Sequence, residues 1–130
     1  ADLKNINAIV FWDPSYRLRE IFKGIDYYEK RLDCYIMDWG VMIPFSKKMY
    51  KETYGFTDPK YFAKAAKKVK KPVKIIIAGS GALSKTRKEQ LSHFNEPKEL
   101  AVVKNASHCF EEEGAEEKLF NETLKWIKKY

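Results

Sequence analysis

The stretch "KPVKIIIAGSGALSKTRKEQL", residues 71–91, decides the fold. It begins with a short run of apolar and β-branched residues, which is typical of a strand buried on both faces of a parallel sheet. Glycines follow at positions 79 and 81, and a helical pattern comes next. Ser80, between the two glycines, allows two interpretations. It is either a nucleophile presented on a strand-to-helix turn or an ordinary residue of a βα turn.

Two other segments have the same strand character, "AIVFW" at residues 8–12 and "ELAVVK" at residues 99–104. From residue 73 onward the order is strand, helix, strand, helix with short loops, which predicts parallel neighbouring strands joined by a crossover helix. The predicted fold class is therefore α/β, with a three-stranded parallel sheet segment. Because buried strands of this kind need cover on both faces and both edges, the chain is interpreted as part of a larger sheet.

Three helices are predicted, over residues 58–70, 84–94 and about 116–129. Asp58 is the N-cap candidate of the first helix, and Ser84 that of the second. The third helix carries an apolar stripe that is predicted to face the core. Its members are Leu119, Phe120, Thr123, Leu124 and Ile127.

The connection between the first two strands runs from Pro14 to Pro72 and is far longer than a standard crossover. It is rich in aromatic residues and methionine, namely Tyr27, Tyr28, Tyr35, Met37, Trp39, Met42 and Phe45. We interpret residues 15–57 as a helical insertion that lies over the carboxyl ends of the strands. The whole chain, residues 1–130, is predicted to be a single partial domain.

The composition supports a folded core, since 45% of the 130 residues are hydrophobic and 15% are aromatic. The formal charge of +7 comes in part from a lysine run at residues 60–74, which predicts a solvated helix face. No nucleic-acid partner is expected, because the run lacks interleaved aromatic residues and no known binding module is present.

No apolar run approaches the length of a membrane span, and the first residues do not have the pattern of a secretory signal. Two cysteines without a CxxC pattern favour a reducing, cytoplasmic setting. The abundance of lysine beside isoleucine and tyrosine is typical of thermophiles or of AT-rich genomes. No metal or cofactor is expected, because the two histidines and two cysteines lack close ligand spacing.

His108 is the leading candidate catalytic residue. It lies in the loop "NASHCFEEEG", just after the third predicted strand. Loops at the carboxyl ends of parallel strands are where α/β folds place catalytic groups, and an imidazole there suits general-base chemistry. Cys109 is expected to be a small buried thiol, and His93 is expected to be exposed at a polar helix end.

The segment "ELAVVKNASHCFEEEGAEEKLFNETLKWIKKY" resembles the C-terminal end of an α/β-hydrolase of the serine esterase, lipase and acyl-peptidase type. The preceding strand-turn-helix is similar to the penultimate βαβ segment of that family. "LKNINAIVFWDPSYRLREIF" resembles the strand before its cap, and the insertion stands where the family has a lid. The resemblance covers essentially the whole chain and corresponds only to the C-terminal half of the family's domain. It implies that His108 is the catalytic histidine.

The resemblance is incomplete at two positions. The family's triad acid commonly follows the penultimate strand, where this chain has Ala82. Asp13, after the first strand, is the alternative acid that would orient His108; otherwise it caps the turn with Pro14. The family's Gly-x-Ser-x-Gly elbow is absent, and only the relaxed form around Ser80 occurs, in an order that leaves no room for a cap and an acid before His108.

The resemblance implies the C-terminal half of a serine hydrolase, which supplies a histidine loop and a lid for ester or acyl hydrolysis. The chain is expected to be inactive without a nucleophile-bearing half. Its expected substrate is a small apolar ester or acyl compound. Its expected partner is a complementary N-terminal hydrolase half or a second copy of the chain. The alternative is a non-catalytic half-domain that acts as a binding or oligomerisation module.

Overall fold

The computed structural model describes residues 5–21, 23–24, 26–38 and 41–130. It is a mixed α/β structure with six strands and five α-helices among these residues. In chain order they are β1 (Ile9–Trp12), α1 (Leu18–Ile21), β2 (Asp26–Glu29), β3 (Cys34–Asp38), β4 (Met42–Ser46), α2 (Lys47–Phe56), α3 (Pro59–Ala66), β5 (Val73–Ala78), α4 (Arg87–Ser92), β6 (Lys98–Val103) and α5 (Ala115–Ile127). A 3-10 helix, Ala82–Lys85, precedes α4.

The chain divides into two compact units. The first combines residues 1–15 with residues 63–130, and the second is residues 16–62. The first unit contains a parallel sheet with strand order β1-β5-β6. The three strands predicted from the sequence and their parallel arrangement are confirmed. β5 lies in the centre, and all six of its residues are buried, which explains its continuous apolar character.

Each face of the parallel sheet packs against a different helix. Successive side chains of a strand point to opposite faces, so alternate residues of β5 point toward α5. Ile76 and Ala78 lie in one buried cluster with residues of β6 and α5; its other members are Val103, Ala106, Phe110, Ala115 and Leu119. On the opposite face the ring of Phe11 packs against Phe94, just after α4, with 5.6 Å between centroids.

Two predicted helix boundaries need correction. Asp58 does cap α3, since its Oδ1 accepts the backbone N–H of Lys60 at 2.9 Å and of Tyr61 at 3.3 Å. α3 ends at Ala66, earlier than predicted. Ser84 does not cap a helix. Its N–H donates to the carbonyl of Gly81 at 3.1 Å, which closes a tight 3-10 turn, and α4 begins only at Arg87.

α5 presents two apolar stripes, and the sequence prediction merged them. Ala115, Leu119 and Trp126 are the buried residues of this helix. Three residues of the predicted core stripe are instead 43–53% exposed, namely Phe120, Leu124 and Ile127. Phe120 contacts Trp12 with 5.7 Å between ring centroids, and Trp12 is itself 48% exposed. We call the four residues Trp12, Phe120, Leu124 and Ile127 the open-edge surface.

The second unit contradicts the prediction of a helical insertion. It contains a three-stranded antiparallel sheet of order β2-β3-β4, besides helices α1 and α2. Tyrosine side chains hold this sheet together: Tyr28 pairs with Tyr35 across β2 and β3, and Tyr35 stacks on Tyr50 of α2 with 3.7 Å between centroids. Aromatic residues favour strands, which accounts for a sheet in this tyrosine-rich segment. Trp39 lies outside the described residues.

Lys74 contradicts the prediction of a continuous solvated lysine face. It belongs to β5, its side chain is 2% exposed, and its Nζ lies 2.7 Å from carboxylate oxygens of both Glu99 and Glu122. Burial alone lowers the pKa of Lys74, but the hydrogen bonds that its ammonium group donates to Glu122 and Glu99 outweigh it and raise the pKa. Lysine is tolerated here because two carboxylates neutralise it.

Glu122 makes the stability of the parallel sheet sensitive to acid. Hydrogen bonds from Lys125 and Lys74 lower its pKa below 4.5. Because the unfolded chain then binds the proton more readily, the free energy of unfolding falls as the pH drops from about 4.5 through the folded pKa. Glu122→Gln is expected to flatten this dependence in urea unfolding curves recorded from about pH 3 to pH 7. Glu117→Gln, a change at an exposed position of the same helix, is the matched control. An equal flattening of the pH dependence in both variants would show that Glu122 is not its source.

No helix in the described part of the chain is long and apolar enough to cross a membrane.

Candidate active site

Asp13 and His108 meet at the carboxyl end of the parallel sheet. The Nδ1 atom of His108 lies 2.6 Å from Oδ2 of Asp13, although the two residues are 95 positions apart in the sequence. The Asp13 side chain is 1% exposed and that of His108 is 64% exposed. The pair thus consists of a buried carboxylate and an accessible imidazole. When Nδ1 donates its proton to Asp13, Nε2 is left as an unprotonated acceptor.

The end of β1 fixes the position of Asp13. Its backbone has φ 39°, a left-handed conformation that aspartate tolerates better than most residues. Its N–H donates to the carbonyl of Ile76 at 2.7 Å. Its Oδ1 accepts the N–H of Ala78 at 3.2 Å, which leaves Oδ2 for His108. Asp13 therefore does more than cap the turn before Pro14, which was its other interpretation.

The loop that carries His108 is held on both sides of the histidine. Before it, the carbonyl of Ala106 accepts the N–H of Ser80 at 3.0 Å. After it, Phe110 adopts φ 56° while its side chain stays buried in the core cluster. A bulky residue in the left-handed region is strained and persists only where its surroundings impose it. The hydrogen bond at Ala106 and the buried side chain of Phe110 therefore fix the loop so that His108 lies at the surface.

The turn after β5 does not have the geometry of a nucleophile elbow. An elbow serine sits on a strained turn, whereas Ser80 is not among the described residues with positive φ. No hydrogen bond joins Ser80 to His108 in the described part of the chain. Gly79 instead allows close approach of two strand ends, since a Cβ there would lie 2.9 Å from the carbonyl oxygen of Val103. The geometry favours Ser80 as an exposed turn residue.

Ala82, at the position where the resemblance predicts the acid, is the first residue of the 3-10 helix.

A cleft of about 430 Å³ opens beside His108. Its walls combine aromatic and apolar side chains with two glutamates; they are Trp12, Cys109, Phe110, Glu111, Glu116, Leu119 and Phe120. Cys109 is exposed, so its prediction as a buried thiol was wrong.

Glu112 stabilises the loop that carries His108, because its Oε1 accepts the N–H of Ser107 at 2.8 Å. The pKa of Glu112 is lowered by backbone hydrogen bonds from its own N–H and that of Ser107.

The edge of β1 beside this cleft has no strand partner among the described residues. The N–H of Ile9 donates to the carbonyl of Pro72, just before β5, and the N–H of Asp13 donates to that of Ile76 in β5. Because the direction alternates along a strand, the backbone groups of Val10 and Trp12 face the opposite, open edge. That edge and the open-edge surface are contiguous at Trp12. Among the described residues, this edge of β1 therefore keeps backbone groups without a strand partner beside the Asp13–His108 pair.

Metal binding is not indicated in the described ranges, where no group of three or more His, Cys, Asp or Glu side chains has the geometry to hold an ion. His93, expected to be exposed, is the half-buried C-cap of α4.

The fold of the chain is similar to that of a solved structure. The chain superimposes on the crystal structure of an esterase domain from a Rhodothermus marinus protein, with a TM-score of 0.67 over 98% of its own length. The fold of the chain is therefore similar to that of about half of this esterase domain. Sequence identity over the match is 10%, and the match spans 53% of the esterase chain. No protein-family model matches the chain, and no curated protein matches it.

Sequence reasoning missed the groups that surround Asp13. The N–H of Ala78, the open space at Gly81 and the buried amide of Gln90 all lie close to the turn that carries this aspartate. Of these, only the glycine left a signal in the sequence, as the second glycine of "AGSGA".

Proposed function

We propose that the chain is the C-terminal half of a serine hydrolase-like fold that cleaves ester or acyl bonds when a nucleophile-bearing half completes it. The observation that carries this proposal is the contact between Asp13 and His108 at the carboxyl end of the parallel sheet. A buried carboxylate that orients an accessible imidazole is the base half of a catalytic triad. The similarity to part of an esterase domain supports the same assignment.

In this proposal His108 is the general base. Nε2 removes the proton of a serine hydroxyl as the serine oxygen bonds to the acyl carbon of the substrate. The imidazolium then returns that proton to the leaving alcohol, and water repeats the sequence to release the acid. Asp13 is a positioning residue: it holds Nδ1–H, selects the tautomer with a free Nε2 and stabilises the positive charge on the ring.

The nucleophile would come from a strand added at the open edge of β1. Adjacent strands lie about 4.8 Å apart, so the carboxyl end of such a strand would fall within side-chain reach of His108. The open-edge surface supplies apolar area for helices of the same half. A second copy paired antiparallel on this edge would place its own His108 at the far end and would add no nucleophile.

We further propose that the second unit acts as the lid of the assembled site and that the substrate is a small apolar ester or acyl compound. The apolar walls of the cleft beside His108 support the substrate class. We propose a reducing cytoplasmic location, in keeping with two free cysteines, Cys34 and Cys109.

Treatment of the purified chain with a serine-directed fluorophosphonate tests the assignment of the nucleophile. We expect no adduct by intact mass, because Ser80 lacks both a strained backbone and a hydrogen bond to His108. The protein assembled with its nucleophile-bearing half is expected to take up one adduct, mapped by peptide digestion to that half. A stoichiometric adduct on Ser80 that disappears in His108→Ala would instead make the chain a minimal hydrolase.

The alternative function is a non-catalytic half-domain that uses the open-edge surface for binding or self-association. Its specific support is the half-exposed apolar stripe on α5. The two proposals differ in one measurement. A stable assembly that takes up no fluorophosphonate and is indifferent to His108→Ala would favour the non-catalytic module.

A further inference from the structure

The turn "AGSGA" contributes to the site in a way that neither initial interpretation of Ser80 includes. Asp13 Oδ1 accepts the N–H of Ala78 at 3.2 Å, so the end of β5 binds one oxygen of the carboxylate. Its other oxygen, Oδ2, faces Gly81. A Cβ atom at Gly81 would lie 3.3 Å from Oδ2 and 3.4 Å from the carbonyl oxygen of Ala78. A side chain at Gly81 would therefore press on the carboxylate, which would have to shift by a few tenths of an ångström.

Gln90 holds the same turn from the side of α4. It is completely buried, and its Nε2 donates to the carbonyl of Pro14 at 3.1 Å. Its Oε1 is buried without a hydrogen-bond partner among the described residues. A buried amide with an unpaired oxygen destabilises a fold relative to an apolar side chain of similar size. Gln90 is therefore a poor choice for packing alone, and its hydrogen bond to Pro14 is the interaction that distinguishes it from leucine or methionine.

We propose that Gly81 and Gln90 are positioning residues for the Asp13 carboxylate, and through it for the tautomer of His108. Gly81 leaves room for Oδ2, and Gln90 holds the carbonyl of Pro14, the residue after the left-handed residue Asp13. This inference rests on the proposed function, because it gives a role to residues that hold the proposed triad acid. These roles also explain why the turn after β5 has a glycine, Gly81, next to the side chain of Asp13.

Long-range 1H–15N correlation NMR of the isolated, 15N-labelled chain tests the proposal, because it shows which ring nitrogen of His108 carries the proton. In the unmodified chain we expect His108 to carry its proton on Nδ1, with a slowly exchanging Nδ1–H resonance. Gly81→Ala and Gln90→Met are each expected to lose that resonance and to shift the ring toward the Nε2–H form. Gly55→Ala is the matched control, because a Cβ there would meet nothing within 4 Å. His93 serves as an internal reference in every spectrum.

The outcomes separate this inference from the function on which it rests. An Nδ1–H resonance that persists in both folded variants would overturn the positioning roles and leave the Asp13–His108 pair intact. An Nε2–H tautomer in the unmodified chain would contradict the pair itself, and with it the proposed function. If Gly81→Ala does not fold, as judged by circular dichroism, Gln90→Met decides the matter alone, since it keeps the side-chain volume and removes only the amide.

Discussion

His108→Ala is expected to abolish ester hydrolysis by the assembled protein, with a loss in kcat on the order of 10⁶-fold. Without the imidazole no group removes the proton of the serine, and none protonates the leaving alcohol. The fold should be retained, because the His108 side chain is 64% exposed. The buried Asp13 carboxylate loses the partner of its Oδ2, however, so the free energy of unfolding is expected to fall by about 1–3 kcal/mol. Steady-state hydrolysis of a short-chain aryl ester and urea unfolding measure the two quantities.

His93→Ala is the control for this variant, since it removes the chain's other histidine, at the end of α4. It is expected to retain the activity of the assembled protein. Equal activity in His108→Ala and the unmodified protein would show that His108 is not the base and would leave the non-catalytic module as the better description.

Asp13→Asn is expected to lower kcat of the assembled protein by about 10⁴-fold while the fold is retained. The asparagine oxygen can still accept the N–H of Ala78, and asparagine tolerates the left-handed backbone at this position. Its amide, however, donates to Nδ1 of His108 and selects the tautomer in which Nε2 carries the proton. That tautomer cannot act as a base. The loss should therefore appear in kcat and not in the free energy of unfolding.

Asp13→Ala provides the complementary variant, because it removes the acceptor as well as the charge. It leaves the N–H of Ala78 without its side-chain partner, which is expected to cost about 1–3 kcal/mol of unfolding free energy. Glu96→Gln, at an exposed carboxylate paired with Lys98, is the control for the loss of one negative charge. If Asp13→Asn were as active as the Glu96→Gln control, Asp13 would be only a turn cap.

The sequence alone was sufficient to predict the parallel sheet and the location of His108. Strands buried on both faces are continuous apolar runs, and β1, β5 and β6 were found at nearly the bounds the structure shows. The short loops between β5, α4 and β6 determined that the last two strands are parallel neighbours. Because a loop that follows a parallel strand lies at its carboxyl end, the sequence also located His108 at the edge of the sheet where α/β folds carry their chemistry.

The second unit shows where local patterns were insufficient. Its strands are four or five residues long, and their side chains pack on one another and on α2 as tyrosine pairs. Tyr35 and Tyr50 lie on different elements, so no local periodicity indicates that they stack. The two stripes of α5 present the same difficulty. Helical periodicity places Leu119 and Phe120 on neighbouring faces, but only the position of the sheet determines which of them is buried.

The partner of His108 was decided by the tertiary structure. The sequence offered two interpretations of Asp13, and the strand order β1-β5-β6 brings the ends of β1 and of the loop after β6 together across β5. The space at Gly81 and the N–H of Ala78 then select the orientation of the carboxylate. Residue types and local spacing determine which elements form. The packing of those elements decides which side chains 95 residues apart in the sequence come into contact, because hydrogen bonds between side chains act only over about 3 Å.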